Sequence, residues 1–173
     1  MLEQIVENHQ VLVGESLGLF LQEGAPKPYL ILNFQMIEAK MTAIIQDLEQ
    51  LSKYNNLTYT QYLEQYEAQL IVERLLEKII LRAVEINYHL LKRLAEVTPS
   101  SYKSSFLLMA CHGLLDQQLA KQLSSAVSVR NILAHDYDQL DPRLVYQAMQ
   151  QMMIELPIFL QKVEELLSEH QPA

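Results

Sequence analysis

One stretch of this 173-residue chain gathers side chains that can do chemistry: Val129-Arg130-Asn131-Ile132-Leu133-Ala134-His135-Asp136-Tyr137-Asp138-Gln139-Leu140-Asp141. A permanent cation, an imidazole that titrates near neutrality and a phenol follow one another closely, a set suited to a phosphodiester. Arginine's fork stabilises a phosphate or the charge developing on its oxygens, histidine moves a proton, and asparagine holds a ribose or phosphate oxygen in place. None of these roles needs a metal or another cofactor. On an unbroken helix of about 3.6 residues per turn, Arg130 and His135 lie about 140° apart. Either the helix loosens before His135, or both residues flank a groove formed with a second chain. The plainer reading of the stretch is a helix end furnished with capping and salt-bridging groups.

The elements that must hold this segment read as helices. Half of the residues are hydrophobic, and four glycines and six prolines fall well short of the usual complement of about 12%, too few for the turns of a β-rich chain. Residues 2 to 22 carry Ile5, His9, Leu12, Leu17, Phe20 and Leu21 on one stripe, and Gly24 to Pro28 stops it. From Tyr29 to about Leu51, Leu30, Phe34, Ile37, Met41, Ile44, Leu48 and Leu51 recur at the spacing of a bundle helix. Thr58 followed by Gln61 is a capping box opening a long helix to Leu94. That helix has two apolar stripes, through Ile71, Leu75, Ile79, Ala83, Ile86, Leu90 and Leu94 and through Val72, Leu76, Ile80 and Val84, so it lies centrally or at a subunit interface. Shorter helices follow over Ser101 to Met109 and Leu114 to Val129, with a break at Gly113. Asp141 as N-cap and Pro142 at the first helical position open the last helix, in which Pro157 is an expected kink. The expectation is an all-α, antiparallel up-and-down bundle over residues 29–173, preceded by an N-terminal helical extension over residues 1–28.

Arg130-Asn131-Ile132-Leu133-Ala134-His135-Asp136-Tyr137 resembles the Arg-x4-His-x-Tyr signature of the HepT-like toxins of the HEPN superfamily. Val72-Glu73-Arg74-Leu75, Leu114-Leu115-Asp116 and Asp141-Pro142-Arg143-Leu144-Val145-Tyr146 are similar to that family's running pattern, and the likeness covers roughly residues 29 to 168. The resemblance implies a metal-independent endoribonuclease, the toxin of a bacterial toxin–antitoxin pair, acting as a homodimer whose two motifs face one cleft. His135 would be the general acid or base in attack of a ribose 2′-hydroxyl on the adjacent phosphate. Arg130 would stabilise the phosphorane-like transition state, and Asn131 would orient the RNA. A minimal nucleotidyltransferase antitoxin would adenylylate Tyr137, adding charge and bulk where an RNA phosphate must sit. The alternative is a non-catalytic HEPN-type module that binds a nucleotide or a protein partner, in keeping with Asp136, Asp138 and Asp141 beside His135.

Charge narrows the class further. Thirteen Lys and Arg against 21 Asp and Glu give a net −8, which argues against a protein that coats nucleic acid while leaving room for a local RNA site. A single cysteine, Cys111, excludes an internal disulfide framework and suits a reducing cytoplasm. No apolar run is long enough to span a membrane, and the N-terminus lacks the basic start of a secretory signal. Other features have modest readings. Asp136, Asp138 and Asp141 with His135 can be written as a metal site, but Asp141 is better used as a cap. Cys111 beside His112 is expected to be a buried structural thiol. Tyr59, Tyr62 and Tyr66 form a packing stripe at the bundle end, with base stacking as the rarer use. Arg74, Lys78 and Arg82 step along one helix edge among glutamates, which suggests surface ion pairs, although Arg74 is a possible RNA contact. His9, His89, His112 and His170 lack ligand spacing, and His89 is a candidate to line a dimer cleft.

Overall fold

The computed structural model describes residues 33–135 and 140–170. The chain divides into two units, Met1–Leu32 and Asn33–Ala173, and the described residues all belong to the second. The expected extension over residues 1–28 lies outside them. The described residues form α1 (Phe34–Ser52), α2 (Tyr59–Glu64), α3 (Tyr66–Leu90), α4 (Tyr102–Cys111), α5 (Gln117–His135) and α6 (Pro142–Glu169), with no strand among them.

Local chemistry sets the boundaries. The Asn33 side chain accepts from the Met36 N–H to start α1. Thr58 and Gln61 form the expected capping box, and Ser101 and Ser104 form a second one at the start of α4. Asp141 accepts from the Arg143 N–H at 2.8 Å, with Pro142 opening α6 as expected, and α6 runs on through Pro157. Gly113 adopts φ 71°, so the turn after α4 falls where a residue without Cβ can take it.

Two boundaries differ from the sequence expectation. The helix expected over 61 to 94 is broken at Gln65 (φ −110°, ψ 83°) into α2 and α3. At its far end α3 widens into a π turn over Leu91–Ala95, closed by Glu96 in the left-handed region at φ 56°. Both departures occur where no glycine or proline announces them.

α1 and α3 form an antiparallel pair. Asn33 lies at the level of His89, Lys40 at that of Glu85 and Asp47 at that of Lys78. Ile37, Ile44, Leu48 and Leu51 of α1 are buried, and on α3 both stripes from Val72 to Leu90 are buried within the single chain, apart from Ile71, which is exposed. From Val72 to Leu90 the wide apolar face of α3 is therefore covered within the single chain. Phe106 of α4 meets Phe159 of α6 edge-on at 6.0 Å between ring centres. The start of α6 is fastened to the α1–α2 turn, where the Tyr146 hydroxyl donates to the Leu57 carbonyl at 2.7 Å and Gln150 donates to the Asn55 carbonyl at 2.9 Å.

Candidate active site

Helix α5 carries the motif. Asp116 starts it by accepting from the Gln118 and Leu119 N–H groups at 2.7 and 3.0 Å, and Leu119, Ala120, Leu123, Ala126 and Val127 bury its inner face. Nothing in Arg130 to Ala134 breaks a helix, and the backbone stays helical to His135. Of the two arrangements open from the sequence, the loosened helix is thereby removed. Arg130 and His135 remain about 140° apart around one axis. Asn131 is exposed beside Arg130. Tyr137, Asp136 and Asp138 lie outside the described residues, and Asp141 caps α6.

Arg130 is held by an aromatic side chain. Its guanidinium carbon stands 5.1 Å from the centre of the Tyr102 ring, inside the range of about 6 Å over which a ring's negative face attracts a cation. The buried Nε of Arg130 has no hydrogen-bond partner among the described residues. Tyr102 is itself fixed from two sides. Tyr88 of α3 packs edge-on against its ring at 6.4 Å and 83°. Beneath it, Ser105 Oγ donates to the Tyr102 carbonyl at 2.7 Å and receives Nδ2 of the fully buried Asn87 at 3.4 Å. Burial, with the Tyr102 phenol as a second cause, pushes the Tyr88 hydroxyl above its ordinary value, so that ring stays neutral.

The stretch of chain that carries Tyr88 and Tyr102 is cationic within an acidic protein. Between Asn87 and Ser105 the chain carries Lys92, Arg93 and Lys103 against Glu96 alone. His89 registers that field: burial, then Arg93, then Lys92 hold its imidazole below the usual value, and its neutral Nε2 accepts the Asn33 N–H at 3.0 Å. Sequence reading missed Tyr88, Tyr102 and this cationic turn. The charge of the 87–105 window was the available signal, whereas the Tyr102–Arg130 contact joins residues 28 positions apart and left no local trace.

The other candidates are placed differently. Lys78 and Arg82 both pair with Asp47 of α1, Lys78 at 2.7 Å, so these cations hold α1 to α3. Arg74 pairs with Glu77 at 2.6 Å on the surface, and along the helix it stands about 21 Å from Tyr88, at about 1.5 Å per residue. Tyr62 is buried against Tyr146 and Tyr59 packs edge-on against the same ring, while the break at Gln65 turns Tyr66 out to solvent. Cys111, expected to be buried, is exposed. Ser105, Phe106 and Met109 define the inner face of α4, and a residue two positions beyond Met109 is rotated by about 200°. Among the described residues no group of three or more His, Cys, Asp or Glu side chains is placed to hold a metal ion, and no helix is long and apolar enough to cross a membrane.

Comparison with known proteins matches residues 44–163 to the ribonuclease HepT-like family. The chain belongs to the HepT-like ribonuclease family. It is 32% identical over 132 residues to the tRNA nuclease HepT of Aphanizomenon flos-aquae, covering 76% of this chain and 90% of that one. The fold is shared with a tri-AMPylated HEPN toxin of Shewanella oneidensis solved in complex with an MNT antitoxin, at TM-score 0.68 and 23% identity over 75% of this chain and 97% of that one. It is also shared with YutE, a cytosolic protein of unknown function from Bacillus subtilis, at TM-score 0.72 and 14% identity over 82% of this chain and 96% of that one. The sequence expectation of an all-helical member of the HepT-like ribonuclease family therefore holds over the described residues.

Proposed function

We propose that this HepT-like ribonuclease cleaves RNA without a metal, through Arg130 and His135, and is the toxin of a bacterial pair restrained by a nucleotidyltransferase antitoxin. The observation that carries the reading is the unbroken helix to His135, with Arg130 held on Tyr102 in the preceding turns. Because a ring holds the guanidinium without neutralising it, the positive charge remains for a phosphate. His135 takes the proton of a ribose 2′-hydroxyl as that oxygen attacks the adjacent phosphorus, and a proton is returned to the departing 5′-oxygen. The products are a 2′,3′-cyclic phosphate and a 5′-hydroxyl. Arg130 stabilises the charge on the equatorial oxygens, and the exposed Asn131 orients the strand. RNA reaching further along the surface meets Arg74, whose side chain is 70% exposed.

Two chains complete the site in this reading. Helix positions about 140° apart serve one phosphate more readily when two copies of the motif face a shared cleft. The exposed Ile154 and Ile158 of α6, 68% and 52% accessible, give a second copy apolar surface to cover. Adenylylation of Tyr137, two residues from His135, blocks that cleft with negative charge. The protein acts in the cytoplasm, where its RNA is.

Expression of the wild-type chain without its antitoxin arrests growth, whereas Arg130→Ala and His135→Ala, folded to the same extent, do not. Full toxicity of either variant refutes the assignment. After co-expression with a cognate nucleotidyltransferase antitoxin, mass spectrometry finds AMP on the peptide spanning Tyr137; an unmodified peptide removes that part.

A further inference from the structure

We infer that Tyr102 is the positioning residue of Arg130, and that the Asn87–Ser105–Tyr102 chain with the Tyr88 ring is the frame that aims the guanidinium; this rests on the assignment of Arg130 to the cleavage site. An arginine side chain has four rotatable bonds, and its use on a phosphate depends on arriving with the fork already placed. A carboxylate would fix it but would cancel its charge. Among the described residues no carboxylate is at ion-pair distance from Arg130, and the neighbour it does have is the Tyr102 ring at 5.1 Å.

Tyr102 is built to stay put. It is the first residue of α4, directly after the Ser101 cap. Its carbonyl receives Ser105 Oγ at 2.7 Å, and Ser105 in turn receives Nδ2 of Asn87 from α3. Asn87 and Ser105 are both 0% exposed, so a polar pair has been carried into the core at the foot of this tyrosine. Such burial is costly without hydrogen bonds; the bonds made by Asn87 Nδ2 and Ser105 Oγ lead to Tyr102, while Asn87 Oδ1 has no partner among the described residues. The Tyr88 ring stands edge-on to the Tyr102 ring, which leaves a face free for the cation. Tyr102 is still 37% exposed, so its ring can be altered without opening the core.

The test is RNA cleavage by the full chain, read as kcat and KM separately, with thermal unfolding measured on each variant. Tyr102→Phe keeps the ring face and retains kcat within about threefold, since the contact uses no hydroxyl. Tyr102→Leu lowers kcat about 10- to 100-fold, the size of effect that misplacing a catalytic group by about 1 Å produces, with KM little changed. A series of phenylalanines with increasing ring fluorination at position 102 keeps the shape while draining the negative face, so kcat falls stepwise while the melting temperature stays level. That series stands in for the leucine variant if the latter fails to fold. A flat fluorine series, or a rise in KM at constant kcat, overturns the inference, the second by making Tyr102 a platform for a base. If Arg130→Ala itself leaves cleavage intact, the fault lies in the site assignment; if Arg130→Ala abolishes cleavage and Tyr102→Leu does not lower kcat, this inference alone fails.

Discussion

Asp47 offers a sharp test of which cations serve the fold and which are left for RNA. The residue is 7% exposed and takes Lys78 on one carboxylate oxygen and Arg82 on the other. Asp47→Ala removes two charge-assisted hydrogen bonds, each worth about 1.5–3 kcal/mol. The cations recover part of that, because the Lys78 and Arg82 side chains are 35% and 26% exposed and can turn to water. A net loss of about 2–4 kcal/mol follows, at or below the range of about 3–5 for breaking a fully buried pair. For a chain of this size that lowers the melting temperature by about 4–16 °C. Lys78→Met and Arg82→Met each cost about half as much, since Asp47 keeps one partner. Urea unfolding followed by circular dichroism gives the stabilities, and cleavage of a short RNA by the same preparations gives kcat and KM. The account requires that Lys78→Met and Arg82→Met lose stability while KM for RNA holds. Unchanged stability with a raised KM would show these cations facing the strand, and would refute the argument that α3 spends them on α1.

Other consequences follow from the same contacts. Burial pushes the Glu155 carboxyl above its ordinary value, against a smaller opposing effect of the Gln151 amide, so the folded state prefers the neutral acid and loses this contribution as pH rises through the shifted value; Glu155→Gln is therefore more stable than wild type at pH 7, and the gap closes on acidification. His89 has the opposite sign: its imidazole is held below the usual value, so stability falls as pH drops below the ordinary imidazole range, and hydrogen exchange at the start of α1 quickens there as the Asn33 N–H loses its acceptor. Tyr146→Phe deletes the hydrogen bond to the Leu57 carbonyl and costs about 1 kcal/mol in urea unfolding, while Tyr146→Ala also loses the ring contacts with Tyr59 and Tyr62 and costs about 3–5 kcal/mol.

Much of the fold was written in the spacing of apolar residues. The stripes on α1 and α3 name a large part of the core, and the Thr58–Gln61 and Asp141–Pro142 signals mark helix starts as the structure has them. These features are local, set by residues three or four apart. The break at Gln65 and the π turn at Leu91–Ala95 had no such mark, because neither uses glycine or proline and both answer to packing from elsewhere. The width of the apolar face on α3 was legible, but whether its own chain or a second one covered it was not; burial in the single bundle decides that. At the site, Arg130, Asn131 and His135 were readable as a motif. What positions Arg130 was not, since Tyr88, Tyr102 and Arg130 come from three helices and meet only in three dimensions.

The central claim is that Arg130 and His135 cleave RNA by proton transfer and charge stabilisation supplied by the protein alone. It is tested most directly by incubating the purified, antitoxin-free chain with RNA in excess chelator and following strand cleavage beside Arg130→Ala and His135→Ala preparations of matched stability. The account predicts cleavage by the wild-type chain that chelator does not abolish, ending in 2′,3′-cyclic phosphates, with a loss of about 100-fold or more in each variant, the usual contribution of an acid–base group or a charge donor. Cleavage that vanishes with chelator, or that persists at the wild-type rate in either variant, would contradict it.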